Sequence, residues 1–319
     1  ETLPNDWPVQ GTTGYEFIDS LADLLCEGTG LAALSAFYES DCGSACIADQ
    51  ARDAKRQIVQ RNFEGEVERI VDLGSSLSAI ARDLLRPALV ELAVALPVYR
   101  TYAAGGRMNI RDAELLDTAS GEAAAHSARA LHPALDFWTQ LFCGGLEASS
   151  TMEGQTALSR FQQLCGPAMA KGLEDTLFYR DARLLALNEV GSGPSRPWPM
   201  AARFHRAMAE RASSGALSLN ATSTHDTKRG EDARARLMSL SSSPECWMEG
   251  LPRWRQAMAR TDVAGLDGMQ PAIWHLLFQS LLGAFDRDRD LRHAMREFMV
   301  KAMREAKMRT DWVDPDEQF

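Results

Sequence analysis

The chain has 319 residues and a formal net charge of −10, with 45% hydrophobic and 24% charged residues. This composition is typical of a globular protein, and its acidic balance argues against a nucleic-acid partner, because phosphate binding requires a surplus of Lys and Arg on one face. No segment approaches the roughly 20 apolar residues of a membrane span, so no membrane partner is expected. Six dispersed cysteines without zinc-type spacing predict reduced thiols in a cytoplasmic protein that has no metal site.

Apolar residues recur with helical periodicity along most of the chain. The stretch from Phe17 to Leu25 is amphipathic, and the pattern from Ile47 to Ile70 predicts one long helix. Leucines on one face predict a further helix over residues 78–96. The remaining predicted helices cover residues 110–130, 151–170, 200–213, 229–240, 270–285 and 289–308.

Two segments have the composition expected of strands. Residues 97–102 include β-branched and aromatic residues after a helix-breaking proline, and residues 216–222 alternate after a glycine. So many helices with so few isolated strands would be an unusual complete fold. The chain also begins at Glu1 without a Met and ends at Phe319 without a helix stop. We therefore expect an excised part of a barrel protein that carries helical insertions.

The densest group of reactive side chains follows the second strand candidate, where a helix is about to begin. His225, Asp226, Lys228 and Arg229 fall within five consecutive residues. In barrel enzymes the catalytic groups gather at the ends of strands, so this junction is a candidate active-site loop. The alternative is an Asp that caps the helix within a solvated basic turn.

A second charged cluster follows the helix predicted over residues 151–170. Pro167 and Gly172 are expected to interrupt that helix, which would place Lys171, Glu174 and Asp175 in a turn. A helix end with ordinary surface charge would have the same composition, so the cluster alone does not indicate a site.

Two loops rich in small residues complete the candidate segments. An apolar run passes into a polar, Gly-rich loop over residues 187–194. Residues 11–17 form a small-residue loop that leads to an aromatic residue, although Thr13 and Glu16 also match the pattern of a helix capping box.

Together these segments resemble the motifs of the maltooligosyl trehalose synthase family, in the order that the family has them. Several are long and unusual, and the resemblance runs from residue 3 to about 318, so it covers nearly the whole chain. The segments are LPNDWPVQGTTGYEF (3–17), PVYRTY (97–102), FQQLCGPAMAKGLEDTLFYR (161–180), LLALNEVG (184–191), ATSTHDTKRGEDARAR (221–236) and KAMREAKMRTDW (301–312).

The resemblance implies an alpha-amylase-superfamily enzyme that has a (β/α)8 barrel with large helical insertions. Such an enzyme converts the reducing-end α-1,4 bond of a maltooligosaccharide into an α,α-1,1 bond and needs no cofactor. We therefore expect a mainly α chain. Residues 1–150 would form a mostly helical insertion region, and residues 151–319 an incomplete barrel portion with few strands, the His-Asp motif and C-terminal helices.

The resemblance also implies roles for individual residues. Asp226 would correspond to the third catalytic Asp of the superfamily, which grips the substrate, and His225 to the His that binds sugar hydroxyls. Lys228 and Lys171 match lysines that hold the reducing-end glucose in the +1 subsite. The full set of predicted substrate-binding residues is His225, Lys228, Lys171, Arg229 and Glu174.

Some positions depart from the family pattern. Cys165 stands where the family has Thr, and Gly230 where it has Ser. More importantly, the family's nucleophile Asp and general acid Glu precede the LPNDWP segment. The chain is therefore expected to lack two of the three catalytic carboxylates and to be inactive alone. Unpaired strand edges would also promote self-association.

Two other functions remain open on the sequence. The first is another amylase-superfamily hydrolase, which would share the pair His225-Asp226 but would not need the Lys171 motif. The second is a helical carbohydrate-binding or interaction module without catalysis.

Overall fold

The computed structural model describes residues 7–43, 46–103, 108–193, 199–215, 217–261 and 266–317. Over these ranges the chain is mainly helical, which confirms the predicted class, and none of the helices found there is long and apolar enough to cross a membrane. The α-helical segments are α1 (Tyr15–Leu25), α2 (Gly28–Cys42), α3 (Ile47–Asn62), α4 (Glu64–Leu77), α5 (Arg82–Ala95), α6 (Ile110–Ala125), α7 (His132–Cys143), α8 (Met152–Met169), α9 (Phe178–Arg180), α10 (Ala201–Ser214), α11 (Glu231–Met238), α12 (Pro244–Ala259), α13 (Pro271–Ala284) and α14 (Arg292–Ala306).

The helices differ from the predicted set in one division and four additions. The single helix predicted over residues 47–70 is divided at Phe63, which is the N-cap residue of α4. Helices α2, α7 and α12 and the short helix α9 were not predicted. In α2 the apolar residues run almost without interruption from Leu31 to Tyr38, so the stripe that faces the core is hidden in the sequence.

The chain divides into two compact units. The first unit comprises Asp49–Leu173 with the segment that ends at Trp7, and the second comprises Pro8–Ala48 and Glu174–Phe319. The sequence analysis divided the chain differently, into a helical insertion region before residue 150 and a barrel portion after it. Both that division and the barrel stay predictions.

The first unit is organised around α5. This helix packs against α4, α6, α7 and α8, and its buried residues lie on most of its circumference. Trp138 of α7 is fully buried, and its indole N–H donates to the Leu85 carbonyl at 2.9 Å. The ring of Phe142 stacks on Trp138 and on Phe161, with centroid distances of 5.4 and 4.5 Å. Apolar and aromatic packing therefore holds this unit together.

Helix α8 continues into a wider, π-helical segment over Ala170–Leu177. The predicted interruption is therefore wrong, because Pro167 stays inside α8 and the charged cluster lies on a helical segment and not in a turn. A Cβ atom on Gly172 would lie 2.8 Å from the Lys55 Cα atom, so the glycine permits a close approach to α3. π-Helical segments within α-helices are frequent at functional sites.

The strand predicted over residues 97–102 is an irregular segment. The Thr101 hydroxyl and the Ala103 N–H both donate to the Gln162 side-chain oxygen, at 3.1 and 2.9 Å. The Gln162 amide N–H donates back to the Ala103 carbonyl at 3.1 Å. A buried side chain therefore satisfies the backbone groups that a neighbouring strand would otherwise bind, and the strand prediction is wrong.

The other strand prediction, over residues 216–222, also fails for residues 217–222, while residue 216 lies outside the described ranges. The N–H groups of Leu217 and Leu219 donate to the carbonyls of Gln10 and Thr12, both at 3.1 Å, as in one side of a parallel ladder. The Thr12 N–H, however, donates to the Ser218 hydroxyl at 3.0 Å. A side-chain acceptor thus replaces the ladder bond that would define a strand.

The second unit packs α2, α12 and α13 around aromatic side chains. Trp247 of α12 is almost completely buried, and its ring lies 5.9 Å from that of His275 on α13. Gln279, also on α13, accepts the Leu185 N–H at 2.8 Å and donates to the Ala182 carbonyl at 2.6 Å. This helix therefore fixes the irregular segment that follows α9, which leads to the candidate site.

Candidate functional site

The predicted active-site loop is a compact turn held by two threonines. The Thr227 hydroxyl donates to the Thr224 carbonyl at 2.9 Å, and the Asp226 N–H donates to the Thr224 hydroxyl at 3.2 Å. His225 and Asp226 lie at the tip and are exposed. The N-cap residue of α11 is Gly230, so Asp226 is not the helix cap that the alternative interpretation required. The turn leaves the imidazole and the carboxylate accessible to a ligand.

The buried carboxylate of Glu189 anchors this loop to the interior of the unit. Glu189 is 1% exposed, and its oxygens accept the N–H groups of Val190 at 2.9 Å, Lys228 at 2.7 Å and Arg229 at 3.3 Å. The neighbouring Asn188 amide donates to the carbonyls of Phe178 and Asp181 at 3.1 and 2.5 Å, which fixes the segment that carries Glu189. A buried carboxylate is stable when several donors bind it, so this contact ties the loop to the core.

Lys228 is held in a defined position. Its ammonium lies 3.2 Å from the Asp175 carboxylate oxygen and 5.1 Å from the centre of the Tyr179 ring. The Lys228 side chain is only 10% exposed, against 29% for that of Asp175. Burial, with a further contribution from the Asp175 charge, raises the pKa of Tyr179 to about 12, so the phenol is neutral at physiological pH. The ammonium therefore rests between a carboxylate and an aromatic face.

Arg229 and Glu174 contact the backbone of the same unit. The Arg229 guanidinium donates to the Leu185 carbonyl at 3.2 Å, and burial lowers the pKa of Arg229 below its usual range. The Glu174 carboxylate accepts the Gly191 N–H at 3.2 Å. Lys171 is exposed on the π-helical segment, in the first unit. The substrate-binding roles of these three residues stay predictions.

The arrangement suits a polyhydroxylated ligand. An ammonium offers three N–H donors to sugar hydroxyls, a carboxylate accepts from them, and an imidazole can do either. Two contributors were missed as site residues in the sequence, namely Glu189 and Tyr179. A charged residue two positions after the apolar run Leu184–Leu187 was the available signal for Glu189, because a carboxylate so close to such a run needs buried donors.

Another polar cluster in the second unit is an ion-pair network. The candidate ligand atoms of Asp41, Cys42 and His275 lie within 4.8 Å of one another. The Arg255 guanidinium, however, donates to both Asp41 oxygens at 2.8 and 2.5 Å, and His275 Nε2 lies 3.0 Å from one of them. Burial lowers the pKa of His275 to about 4, so its ring is neutral. Since Arg255 already neutralises the carboxylate, these residues fit a partly buried ion pair better than a metal centre.

Comparison with known proteins identifies similar chains but no matching family profile. A Mycobacterium tuberculosis protein assigned as a maltooligosyl trehalose synthase is 32% identical over 324 residues, which cover 100% of this chain and 39% of that protein. The chain therefore spans about two fifths of the length of the curated relatives that it matches.

Solved structures give the same result. The maltooligosyltrehalose synthase of Arthrobacter ramosus superposes with a TM-score of 0.83 at 33% identity, over 99% of this chain and 38% of that one. A Sulfolobus tokodaii protein assigned to the same enzyme has a TM-score of 0.77 at 26% identity and covers all of this chain, which spans 39% of it. The resemblance predicted from the motifs is confirmed, and over its whole length this chain matches a region of the maltooligosyl trehalose synthase family.

Proposed function

We propose that this chain is part of an intramolecular transglucosylase that acts on maltooligosaccharides. The enzyme would convert the reducing-end α-1,4 bond into an α,α-1,1 bond and so form a maltooligosyl trehalose. The observation that carries the proposal is the exposed His225-Asp226 turn next to the fixed Lys228 ammonium. These residues lie in the segment ATSTHDTKRGEDARAR, which resembles the family's active-site motif.

The proposed chemistry divides the work between this region and residues outside it. Cleavage with retention needs two carboxyl groups about 5–5.5 Å apart, of which one attacks the anomeric carbon and the other protonates the leaving oxygen. In our proposal Asp226 does neither. It binds ring hydroxyls, and its negative charge stabilises the oxocarbenium-like transition state.

The isomerisation also requires that the released glucose stays in place. The glucose must turn and attack through its own anomeric hydroxyl before water reaches the glycosyl-enzyme. A fixed ammonium that donates to hydroxyls of this glucose raises its effective concentration at the reaction centre. We assign this role to Lys228, with Lys171 as the second lysine that the family resemblance implies.

Product analysis of the full-length protein tests the proposed reaction. After incubation with maltopentaose we expect reducing ends to disappear while the number of glucose units per chain is retained. Release of glucose and maltose without a non-reducing product would instead establish an amylase-type hydrolase. If neither reaction occurs but maltopentaose binds, the protein is a carbohydrate-binding module.

We further propose that the 319-residue chain is inactive by itself. By the family resemblance, the nucleophile and the general acid lie upstream of the LPNDWP segment, so Asp226 would have no partner for bond cleavage. A reducing-sugar assay of the isolated chain with maltopentaose should show no loss of reducing ends, and a clear loss would contradict the proposal.

The isolated chain should also self-associate, because large apolar side chains such as Leu217 and Val313 are exposed in it. Light scattering is expected to give a mass that increases with concentration, and a monomer mass at every concentration would exclude self-association. The cytoplasmic location likewise stays a prediction.

A further inference from the structure

We propose that Asp175 is a positioning residue for Lys228 and thereby sets how often the glycosyl-enzyme is intercepted by glucose instead of water. This inference rests on the proposed function. Asp175 is outside the set of residues to which the family resemblance gives a role. Its assignment follows from two contacts and one backbone conformation in the second unit.

The first contact is between Asp175 and Lys228. The carboxylate oxygen lies 3.2 Å from the Lys228 ammonium, while the Tyr179 ring lies beneath that ammonium at 5.1 Å. A lysine side chain has four rotatable carbon–carbon bonds, so an unrestrained ammonium would occupy many positions. The carboxylate selects one of them and uses one N–H donor, which leaves two donors for sugar hydroxyls.

The second contact fixes the main chain of Asp175 itself. The Lys307 ammonium donates to the Asp175 carbonyl at 2.9 Å and to the hydroxyl of the fully buried Thr176 at 3.0 Å. The same ammonium also donates to the Glu305 carbonyl at 2.9 Å. Lys307 therefore clamps the end of the π-helical segment that carries Asp175.

The third observation is the backbone of Lys307. This residue ends α14 with φ at 53°, and within the described ranges it is the one non-glycine residue with a positive φ. A left-handed conformation is unfavourable for a lysine and persists where the surroundings impose it. Glycine would be the usual residue at this position of a helix end. The Lys307 side chain therefore offsets the cost of this backbone conformation through its contacts with Asp175, Thr176 and Glu305.

These contacts form a chain from Lys307 to the bound glucose. Lys307 fixes the main chain at Asp175, the Asp175 carboxylate fixes the Lys228 ammonium, and the Lys228 ammonium holds the released glucose. Without the Asp175 charge, the Lys228 ammonium is still a hydrogen-bond donor, but its position is no longer fixed. Glucose would escape more often, and the share of hydrolysis would rise.

The test is the ratio of free glucose to trehalose-type product, measured at fixed conversion of maltopentaose with the full-length protein. Asp175→Asn is expected to raise this ratio about three- to tenfold, the effect of losing a partly exposed charged hydrogen bond. Lys228→Met should raise it as much or more, and the double variant should match Lys228→Met. Asp175→Glu keeps the charge and should restore part of the parent ratio.

Two further variants separate positioning from general damage. Asp290→Asn removes a carboxylate from the exposed ion pair with Arg292 in the same unit and should leave the ratio unchanged. Lys307→Gly relieves the left-handed backbone but removes the clamp, so it should raise the ratio without lowering the thermal midpoint. This variant decides the question if Asp175→Asn does not fold.

The outcomes are distinguishable. An unchanged ratio in Asp175→Asn, alongside a raised ratio in Lys228→Met, overturns the inference but not the proposed function. Additive effects of the two substitutions would also overturn it, because Asp175 would then act independently of Lys228. If the unmodified protein makes no non-reducing product at all, the proposed function itself fails.

Discussion

Both units of the molecule bury a polar side chain that holds an irregular segment, but the chemistry of the two anchors differs. In the first unit the neutral amide of Gln162 binds both the N–H and the carbonyl of Ala103. In the second, the Glu189 carboxylate accepts three backbone N–H groups, two of which belong to Lys228 and Arg229. A carboxylate is costlier to bury than an amide, and it requires donors at every oxygen.

The difference between the two anchors shows where the fold tolerates the desolvation cost of a buried charge. The neutral anchor supports an aromatic and aliphatic core, whereas the charged anchor supports the loop that carries the candidate site. Changes in the first unit should therefore alter mainly stability. Changes around the loop of the second unit should alter mainly chemistry.

The largest effect is expected from Asp226→Asn in the full-length protein. The substitution keeps the size of the side chain and removes the charge that faces the transition state, so both isomerisation and hydrolysis should fall by about 10²–10³-fold or more. Because Asp226 is exposed, the free energy of unfolding should change by no more than about 0.5 kcal/mol. Steady-state rates measure the effect, with Asp290→Asn as the control. A rate within a factor of about two of the parent's would remove Asp226 from the site.

In the first unit, Trp138→Ala should produce the largest loss of stability. It leaves a cavity in the core and removes the indole donor to the Leu85 carbonyl, so the free energy of unfolding should fall by about 3–5 kcal/mol. Denaturant titration followed by circular dichroism measures it. Met152→Ala, at an 81% exposed position of the same unit, is the matched control and should be nearly neutral. A loss for Trp138→Ala as small as that of the control would contradict the assigned core.

Exchanging the two anchors tests the comparison itself. Glu189→Gln places an NH2 donor against backbone donors, and Gln162→Glu places an acceptor against the Ala103 carbonyl. Each should cost about 1–3 kcal/mol of unfolding free energy. The amide hydrogens of Lys228 and Arg229 should lose exchange protection in Glu189→Gln alone.

The control for this pair is Glu249→Gln, which changes an exposed ion pair with Arg253 on one helix. It should leave both stability and exchange unchanged. If the loop amides keep their protection in Glu189→Gln, the carboxylate does not anchor the loop.

The smallest effect concerns the pH dependence of the first unit. Lys55 is buried and donates to the Leu96 carbonyl at 2.7 Å, and burial lowers its pKa from 10.5 to about 8. Between pH 8 and pH 10.5, Lys55 is therefore protonated to a greater extent in the unfolded chain than in the folded one. The unfolding free energy should therefore rise with pH above about 8, by at most about 1.4 kcal/mol per pH unit.

Lys55→Met isolates this contribution. The stability of the parent relative to the variant should increase between about pH 8 and pH 9.5, and taking the difference cancels the titration of other groups. Denaturant titrations of both proteins at several pH values give the measurement. A difference that stays constant over this range would show that Lys55 does not titrate in it.

The helical part of the fold is readable from the sequence because core-facing helices carry a strong periodic pattern. The patterns of α5 and α8 predicted these helices to within a few residues. The strand candidates failed for a reason that a pattern cannot show. Residues 217–222 have strand-like alternation, but Ser218 accepts the backbone N–H that a neighbouring strand would direct to a carbonyl. Secondary structure here depends on a contact between distant segments.

The site was only partly predictable. The charged residues of the loop over residues 225–229 and the lysine pattern are local features of the sequence. The contacts that fix them join segments far apart, since Glu189 binds Lys228 and Asp175 binds the same lysine. The π-helical segment has no sequence signal of its own, and the role of Lys307 depends on a left-handed backbone.

The central claim, that Lys228 belongs to a site that retains the reducing-end glucose, is tested most directly by product ratios. Lys228→Met and Lys171→Met variants of the full-length protein should each raise the ratio of free glucose to trehalose-type product at fixed conversion, because water competes better when the glucose is held loosely. Asp290→Asn serves as the charge-loss control. If both lysine variants keep the ratio and the rate of the parent, neither lysine holds the glucose and the site assignment is wrong.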